Sequence, residues 1–131
     1  MVGRVPRAEV AGLAGSGRRR KQGDAVRVDG RRLGAQELGA ERGERATLVQ
    51  FSSAFCQPCR ATRRVLAEVA AMVEGVAHVE IDAEEHLALV RELDIRATPT
   101  VLVLDRDGRI VRRAAGQPRR ADVIAALGKA V

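Results

Sequence analysis

The chain has no tryptophan, no tyrosine and only two phenylalanines among its 131 residues, so aromatic side chains are 2% of the whole. A globular core at this length must then be assembled from Val, Leu, Ile and Ala, which the 46% hydrophobic content supplies. Residues 1–45 hold no aromatic side chain at all. That removes the stacking surface on which single-stranded nucleic acid is bound, and no nucleic-acid partner is expected. Long hydrophobic runs are missing as well. The mildly apolar stretch Val10 to Gly15 falls far short of the roughly 20 residues a membrane span needs. Its glycines and the basic run after it, rather than before it, argue against a signal peptide.

Cysteine is scarce, at two residues, which excludes a disulfide framework. A structural zinc site needs four ligands, and only His78 and His86 are there to supplement the pair, at spacings unlike those of zinc fingers. No metal and no bound cofactor are expected.

The charge is unevenly placed. The chain carries a formal +6, but residues 1–45 hold 11 Lys/Arg against 6 Asp/Glu, while residues 46–131 hold 12 against 11. The basic excess belongs to the N-terminal part and says little about the rest. Residues 1–23, Gly-rich and ending in Arg18-Arg19-Arg20-Lys21, read as a basic flexible tail. A solvated tail is the first reading, and the partner or remnant of a membrane anchor, touching an acidic lipid surface, is the second. The expected location is cytoplasmic, or membrane-associated if an anchor precedes this sequence.

The two cysteines lie three positions apart in Phe55-Cys56-Gln57-Pro58-Cys59-Arg60. One helical turn brings i and i+3 to one face, so the pair can pass between dithiol and disulfide with little backbone movement. Before it, Thr47 to Phe51 is apolar and β-branched, as in a buried strand. After it, Val65, Leu66, Val69, Met72 and Val73 recur at helical steps. The motif therefore sits where a strand enters a helix, with Pro58 in the first turn, where its missing N–H breaks no bond. Helix-start N–H groups favour a thiolate, and cysteine pKa values near ~8.5 commonly fall to roughly 7 or below there. Cys56 is then the attacking thiolate and Cys59 the deeper, resolving thiol.

The remainder alternates. Residues 24–45 form an adapter, with a short strand at Val26-Arg27-Val28, a turn at Asp29-Gly30 and one helical turn from Ala35 to Leu38. A helix from about 58 to 73 is closed by Gly75. A strand over 77–82 follows, then a helix over 84–93 with Leu87 and Val90 inward. The segment 100–104 turns through Asp105-Arg106-Asp107-Gly108 into 110–114, a hairpin signal. A last helix from about Arg120 presents Val123, Ile124, Leu127 and Val131 to the sheet. Two βα units and a hairpin predict an α/β domain, residues 24–131 with its core at 46–131, in which a central mixed sheet is flanked by helices.

Leu48-Val49-Gln50-Phe51, the Cys-Gln-Pro-Cys motif, Val79-Glu80-Ile81-Asp82, Ile95-Arg96-Ala97-Thr98-Pro99-Thr100 and Gly116 together resemble the thioredoxin family, over about residues 46–131. The adapter is loosely similar to that of TlpA-type thiol reductases. The resemblance implies a thioredoxin fold and thiol-disulfide exchange through Cys56 and Cys59, which form the redox disulfide. It implies a cis Thr98–Pro99 bond beside them. Substrate contact then falls to Phe55, Gln57, Pro58, Thr98 and Pro99, and the partners are disulfide-containing proteins and a recycling reductase or other electron donor. A redox-silent binding module of the same fold, or a membrane-associated reductase of envelope proteins, stays open beside it.

The chain departs from the family pattern at four places. Gln50 stands where a buried Asp is usual, His78 where Lys is usual, Phe55 where Trp is usual, and Gln57-Pro58 replaces Gly-Pro. Gln has no titrating group. Either His78, beside Gln50, or a water takes over the proton relay for the resolving thiol, or Gln50 and His78 simply satisfy each other in the core. Arg60, Arg63 and Arg64 read as the wet face of the helix, with stabilisation of the Cys56 thiolate or attraction of acidic partners as their functional alternative.

Overall fold

A computed structural model describes residues 31–131. The basic tail, the strand expected at 26–28 and the turn at 29–30 lie outside the described residues. What is described starts at the edge of a sheet. The Ile110 N–H donates to the Arg31 carbonyl at 2.9 Å and the Leu33 N–H to the Gly108 carbonyl at 2.9 Å, so residues 31–33 run antiparallel to the hairpin's second strand. Leu33, fully buried, pins them there.

The helical turn α1 (Ala35–Leu38) leads into the central strand β1 (Ala46–Ser52), helix α2 (Gln57–Met72) and strand β2 (Val76–Asp82). A single 3-10 turn (Ala83–Glu85) precedes helix α3 (Leu87–Glu92). Strands β3 (Thr100–Asp105) and β4 (Ile110–Ala115) and helix α4 (Arg120–Ala130) complete the order. The sheet runs β2-β1-β3-β4, with β1 parallel to β2 and antiparallel to β3. It is the mixed sheet that two βα units and a hairpin imply. The hairpin closes because Gly108 takes φ +83, a region costly for a residue with Cβ, while the Asp105 carboxylate accepts the N–H groups of Asp107 and Arg109 at 2.9 and 3.0 Å.

Side chains alternate along β1 and sort the core in two. Val49 and Phe51 join Val79, Ile81, Leu89, Leu93, Leu102 and Leu104 on the α1/α3 side. Ala46 and Leu48 join Leu66, Val69, Val101, Val103, Val123 and Leu127 on the α2/α4 side. Each fully buried Val, Leu or Phe contributes roughly 1.5–3 kcal/mol relative to exposure.

Four apolar residues expected inside are outside: Met72, Leu87, Ile124 and Val131 are 61%, 53%, 45% and 49% exposed. Helix phase explains the first three. On α2 the inward line runs Thr62, Leu66, Val69, and Met72 lies off it. A continuous helix over 84–93 does not form, because the 3-10 turn ends at His86 and α3 starts afresh; Leu89 and Leu93 then face inward and Leu87 turns out. On α4 the stripe is Val123, Ala126, Leu127, with Ile124 about 100° round from Val123. Val131 lies past the helix end.

Candidate active site

The site is built where β1 hands over to α2. The chain turns through Ser53, Ala54 and Phe55, and Phe55 adopts φ +63, a left-handed conformation that costs a bulky residue of order 1–3 kcal/mol. Its ring is 98% exposed, directly before the first cysteine. Cys56 is the N-cap of α2, and its sulfur accepts the Cys59 N–H at 3.2 Å. That donor, at the positive end of a 16-residue helix, is the group that stabilises a thiolate at position 56 in the dithiol form. The two cysteines form a disulfide with their Cα atoms 5.2 Å apart. Cys56 is half-buried, whereas Cys59 is 1% exposed, so only one sulfur meets an incoming partner.

The opposite wall is the segment before β3. Thr98–Pro99 is a cis peptide, and the Thr98 carbonyl lies 3.9 Å from the Cys56 sulfur. The hydroxyls of Thr98 and Ser53 are 2.8 Å apart, tying this wall to the turn that carries the cysteines. The Gly116 N–H donates to the Pro99 carbonyl at 2.8 Å and holds the wall from behind. Cys56, Cys59, Phe55, Gln57, Pro58, Thr98 and Pro99 are thus gathered around one sulfur pair. Gln57 and Pro58 are exposed on the rim, and Pro99 is buried.

Behind the disulfide the α2-facing side of the sheet turns polar. Gln50 is fully buried, and its amide nitrogen donates to the Cys59 carbonyl at 2.8 Å and to the Ser52 hydroxyl at 2.9 Å. A carbonyl can only accept, so the amide oxygen of Gln50 faces His78 Nε2 at 3.3 Å, and that ring nitrogen carries the proton. Burial holds His78 below its ordinary value of 6.5, with Arg63 acting in the same direction and Glu80 against it. Glu80 takes a double hydrogen bond from Arg63, both at 2.7 Å. This bond, with a further one from Ser52, keeps its carboxyl below the ordinary 4.5 despite partial burial. The Thr62 hydroxyl returns to the Pro58 carbonyl at 2.8 Å. Arg60 and Arg64 lie on the wet face of α2; Arg63 is committed to Glu80.

The structure brings together the cysteines, their rim, Gln50 and His78, all singled out in sequence, and adds Ser52, Ser53 and Glu80, which were not. The signal was present for two of them. Gln50 and Ser52 on one strand, and His78 and Glu80 on the next, alternate with period two at the strand ends nearest the cysteines, which places all four on one face. Among the described residues, no group of three or more His, Cys, Asp or Glu is placed to hold a metal ion, and no helix is long and apolar enough to cross a membrane.

A Cys-x-x-Cys pair capping a helix, set against a proline wall on a mixed sheet, defines a thioredoxin-class site. The sequence pattern of the thioredoxin-like domain matches residues 35–131, and the chain belongs to that family. It is similar to thioredoxin from Mycolicibacterium smegmatis, 31% identical over 87 residues that cover 64% of this chain and 77% of that one. It is also similar to thioredoxin H5 of rice, 32% identical over 77 residues, 59% of this chain and 56% of the relative. It spans 56% and 64% of the lengths of the rice and Arabidopsis thaliana H5 thioredoxins. Chloroplastic thioredoxin z superposes with TM-score 0.59 at 27% identity, over 66% of this chain and 78% of that one. The reduced Schistosoma mansoni thioredoxin pre-protein matches in fold, at 20% identity and TM-score 0.59, over 68% of this chain and 82% of that one.

Proposed function

We propose that this chain is a thiol-disulfide oxidoreductase acting on disulfides of protein substrates. The observation that carries the reading is the asymmetry of the pair: the Cys56 sulfur, capped by a helix N–H, meets the surface beside Thr98, while Cys59 is enclosed one turn behind it. The Cys56 thiolate attacks one sulfur of a substrate disulfide, and the other sulfur leaves with the electron pair and takes a proton from solvent. Cys59 then attacks Cys56, closing the intramolecular disulfide and releasing the second substrate thiol. Two electrons pass from the dithiol to the substrate, and a separate reductant restores the dithiol.

Substrate recognition falls to the exposed Phe55, to Gln57 and Pro58, and to the main chain of Thr98 beside Pro99, which is available to an extended peptide. Gln50 and His78 act in this reading as a satisfied buried pair that orients Cys59. Their hydrogen bond, with the Nε2 proton pointing at the amide oxygen, supports that role over a relay through the imidazole.

The test is turnover of a peptide disulfide with dithiothreitol as electron donor. The reduced chain should accelerate the reaction over dithiothreitol alone, Cys56→Ser should abolish the acceleration, and Cys59→Ser should retain substrate on Cys56 as a stable mixed disulfide. No acceleration by the parent chain would leave it a redox-silent binding module.

A further inference from the structure

We propose that an open hollow beside the redox pair is a specificity subsite that takes a lysine or arginine side chain of the disulfide-bearing substrate. The subsite rests on the oxidoreductase reading and narrows its substrate class.

The hollow follows from the sequence at the end of β1. Between the buried Phe51 and the exposed Phe55 the chain carries only small side chains, Ser52, Ser53 and Ala54. None of them fills the space between this turn, the end of β2 and the second turn of α2. A volume of about 360 Å³ is left open to the surface, lined by Ser52, Ser53, Ala54, Arg63, Glu80 and Asp82. A cavity of about 150 Å³ already admits a benzene ring, so a long side chain has room here.

The hollow shares a wall with the substrate groove. The Ser53 hydroxyl is 2.8 Å from that of Thr98, and the Thr98 carbonyl is 3.9 Å from the Cys56 sulfur. A peptide extended along the main chain of Thr98 turns alternate side chains to opposite sides. A residue close to the substrate cysteine can therefore reach over Ser53.

Charge selects the occupant. Arg63 is the one cation in the lining, and its Nε and one terminal nitrogen both donate to Glu80 at 2.7 Å, so these two charges offset each other. Asp82 is left over. One of its carboxylate oxygens accepts the Glu84 N–H at 2.9 Å, and the other accepts no hydrogen bond among the described residues. Glu84 and Glu85, exposed immediately beyond it, add to the negative field at the mouth. Arg60 and Arg64 do not line the hollow. An acidic side chain entering it would meet like charge, and an apolar one would cover Asp82 and the serine hydroxyls without giving them a partner. A lysine or arginine brings both the opposite charge and the donors.

The experiment measures single-turnover reduction, by the full reduced chain, of peptide disulfides that differ only in carrying Lys, Gln or Glu within two residues of the cysteine. Bis(2-hydroxyethyl) disulfide, small and uncharged, is the reference substrate. The Lys peptide should react roughly five- to tenfold faster than the Gln peptide, and the Glu peptide more slowly than either. Asp82→Asn, which keeps an oxygen for the Glu84 N–H, should bring the Lys and Gln peptides to one rate and leave reduction of the reference disulfide unchanged. Arg63→Gln, which leaves Glu80 without its counter-charge, should widen the preference for Lys. Each preference is a ratio within one variant, so a change in thiol reactivity cancels from it. Equal rates of the parent chain on the three peptides, or a Lys preference that survives Asp82→Asn, would overturn the subsite. Failure of the parent chain to reduce any of these disulfides would overturn the oxidoreductase reading itself.

Discussion

The two faces of strand β1 are equally buried and differently occupied. On one, Thr47 accepts the Gly43 N–H at the strand's start, and Val49 and Phe51, toward the end that carries the cysteines, continue into an apolar cluster. On the other, Ala46 and Leu48 are apolar, but Gln50 and Ser52 are not, and the change comes at the end that carries the cysteines. A buried amide or hydroxyl without a partner costs about 1–3 kcal/mol, so a polar patch inside a domain persists only when its groups are matched. Here they are matched: Gln50 makes three hydrogen bonds, to Cys59, Ser52 and His78. The apolar face holds the sheet to α1 and α3. The polar face gives up some of that hydrophobic stabilisation to hold the first turn of α2, and so the sulfur pair, in one arrangement.

Substitutions on the two faces should separate chemistry from stability. Cys56→Ser, at the end of the polar face, should eliminate disulfide turnover while the urea midpoint of the reduced protein stays near that of the reduced parent. A collapse of the midpoint would mean the cysteine is structural. Phe51→Ala, on the apolar face, should lower unfolding free energy by about 3–5 kcal/mol, measured by urea denaturation, while whatever folded fraction remains keeps its turnover per molecule. Gln50→Leu, of similar volume, should cost about 1–3 kcal/mol by leaving the Cys59 carbonyl and Ser52 hydroxyl without the amide. Unlike Phe51→Ala, it should also change the rate at which Cys59 resolves a mixed disulfide. Equal effects of both substitutions on that rate would erase the distinction between the faces.

The smallest effect is a pH slope. Burial lowers the affinity of His78 for a proton, so between its ordinary 6.5 and its lower folded value the unfolded chain binds more protons than the folded one. Stability therefore falls as pH drops through that window. His78→Gln should flatten the slope in thermal melts from pH 7 to 5 and leave intact the loss that sets in below the ordinary 4.5 of Glu80, whose folded carboxyl is held lower by Arg63. A slope that survives His78→Gln would assign it to another group.

Much of this was legible in the linear chain. The Cys-x-x-Cys spacing, the β-branched run before it, the helical period after it and the Asp-Gly hairpin each depend on neighbours within a few residues, and they specify strand, helix, cap and turn without reference to the rest of the molecule. The four misplaced apolar residues show the limit of periodicity. Leu87 turned outward because a 3-10 turn reset the phase of the helix that follows, and that break is enforced locally at Asp82 and His86. The polar groups behind Cys59 were harder to see, since Gln50, Ser52, Arg63, His78 and Glu80 come from β1, α2 and β2 and meet only through register and packing.

Sequence alone determined which atoms could react and which strand would lead them to a helix mouth, because a thiol pair, a capping position and a hydrophobic period are local properties. The tertiary structure alone decided which groups stand behind the resolving sulfur. Parallel pairing of β1 with β2 sets Gln50 against Glu80, and the packing of α2 across both brings Arg63 to the carboxylate. The physical reason is that register and packing are settled by the burial of whole faces, a sum over residues far apart in the chain that no single segment carries.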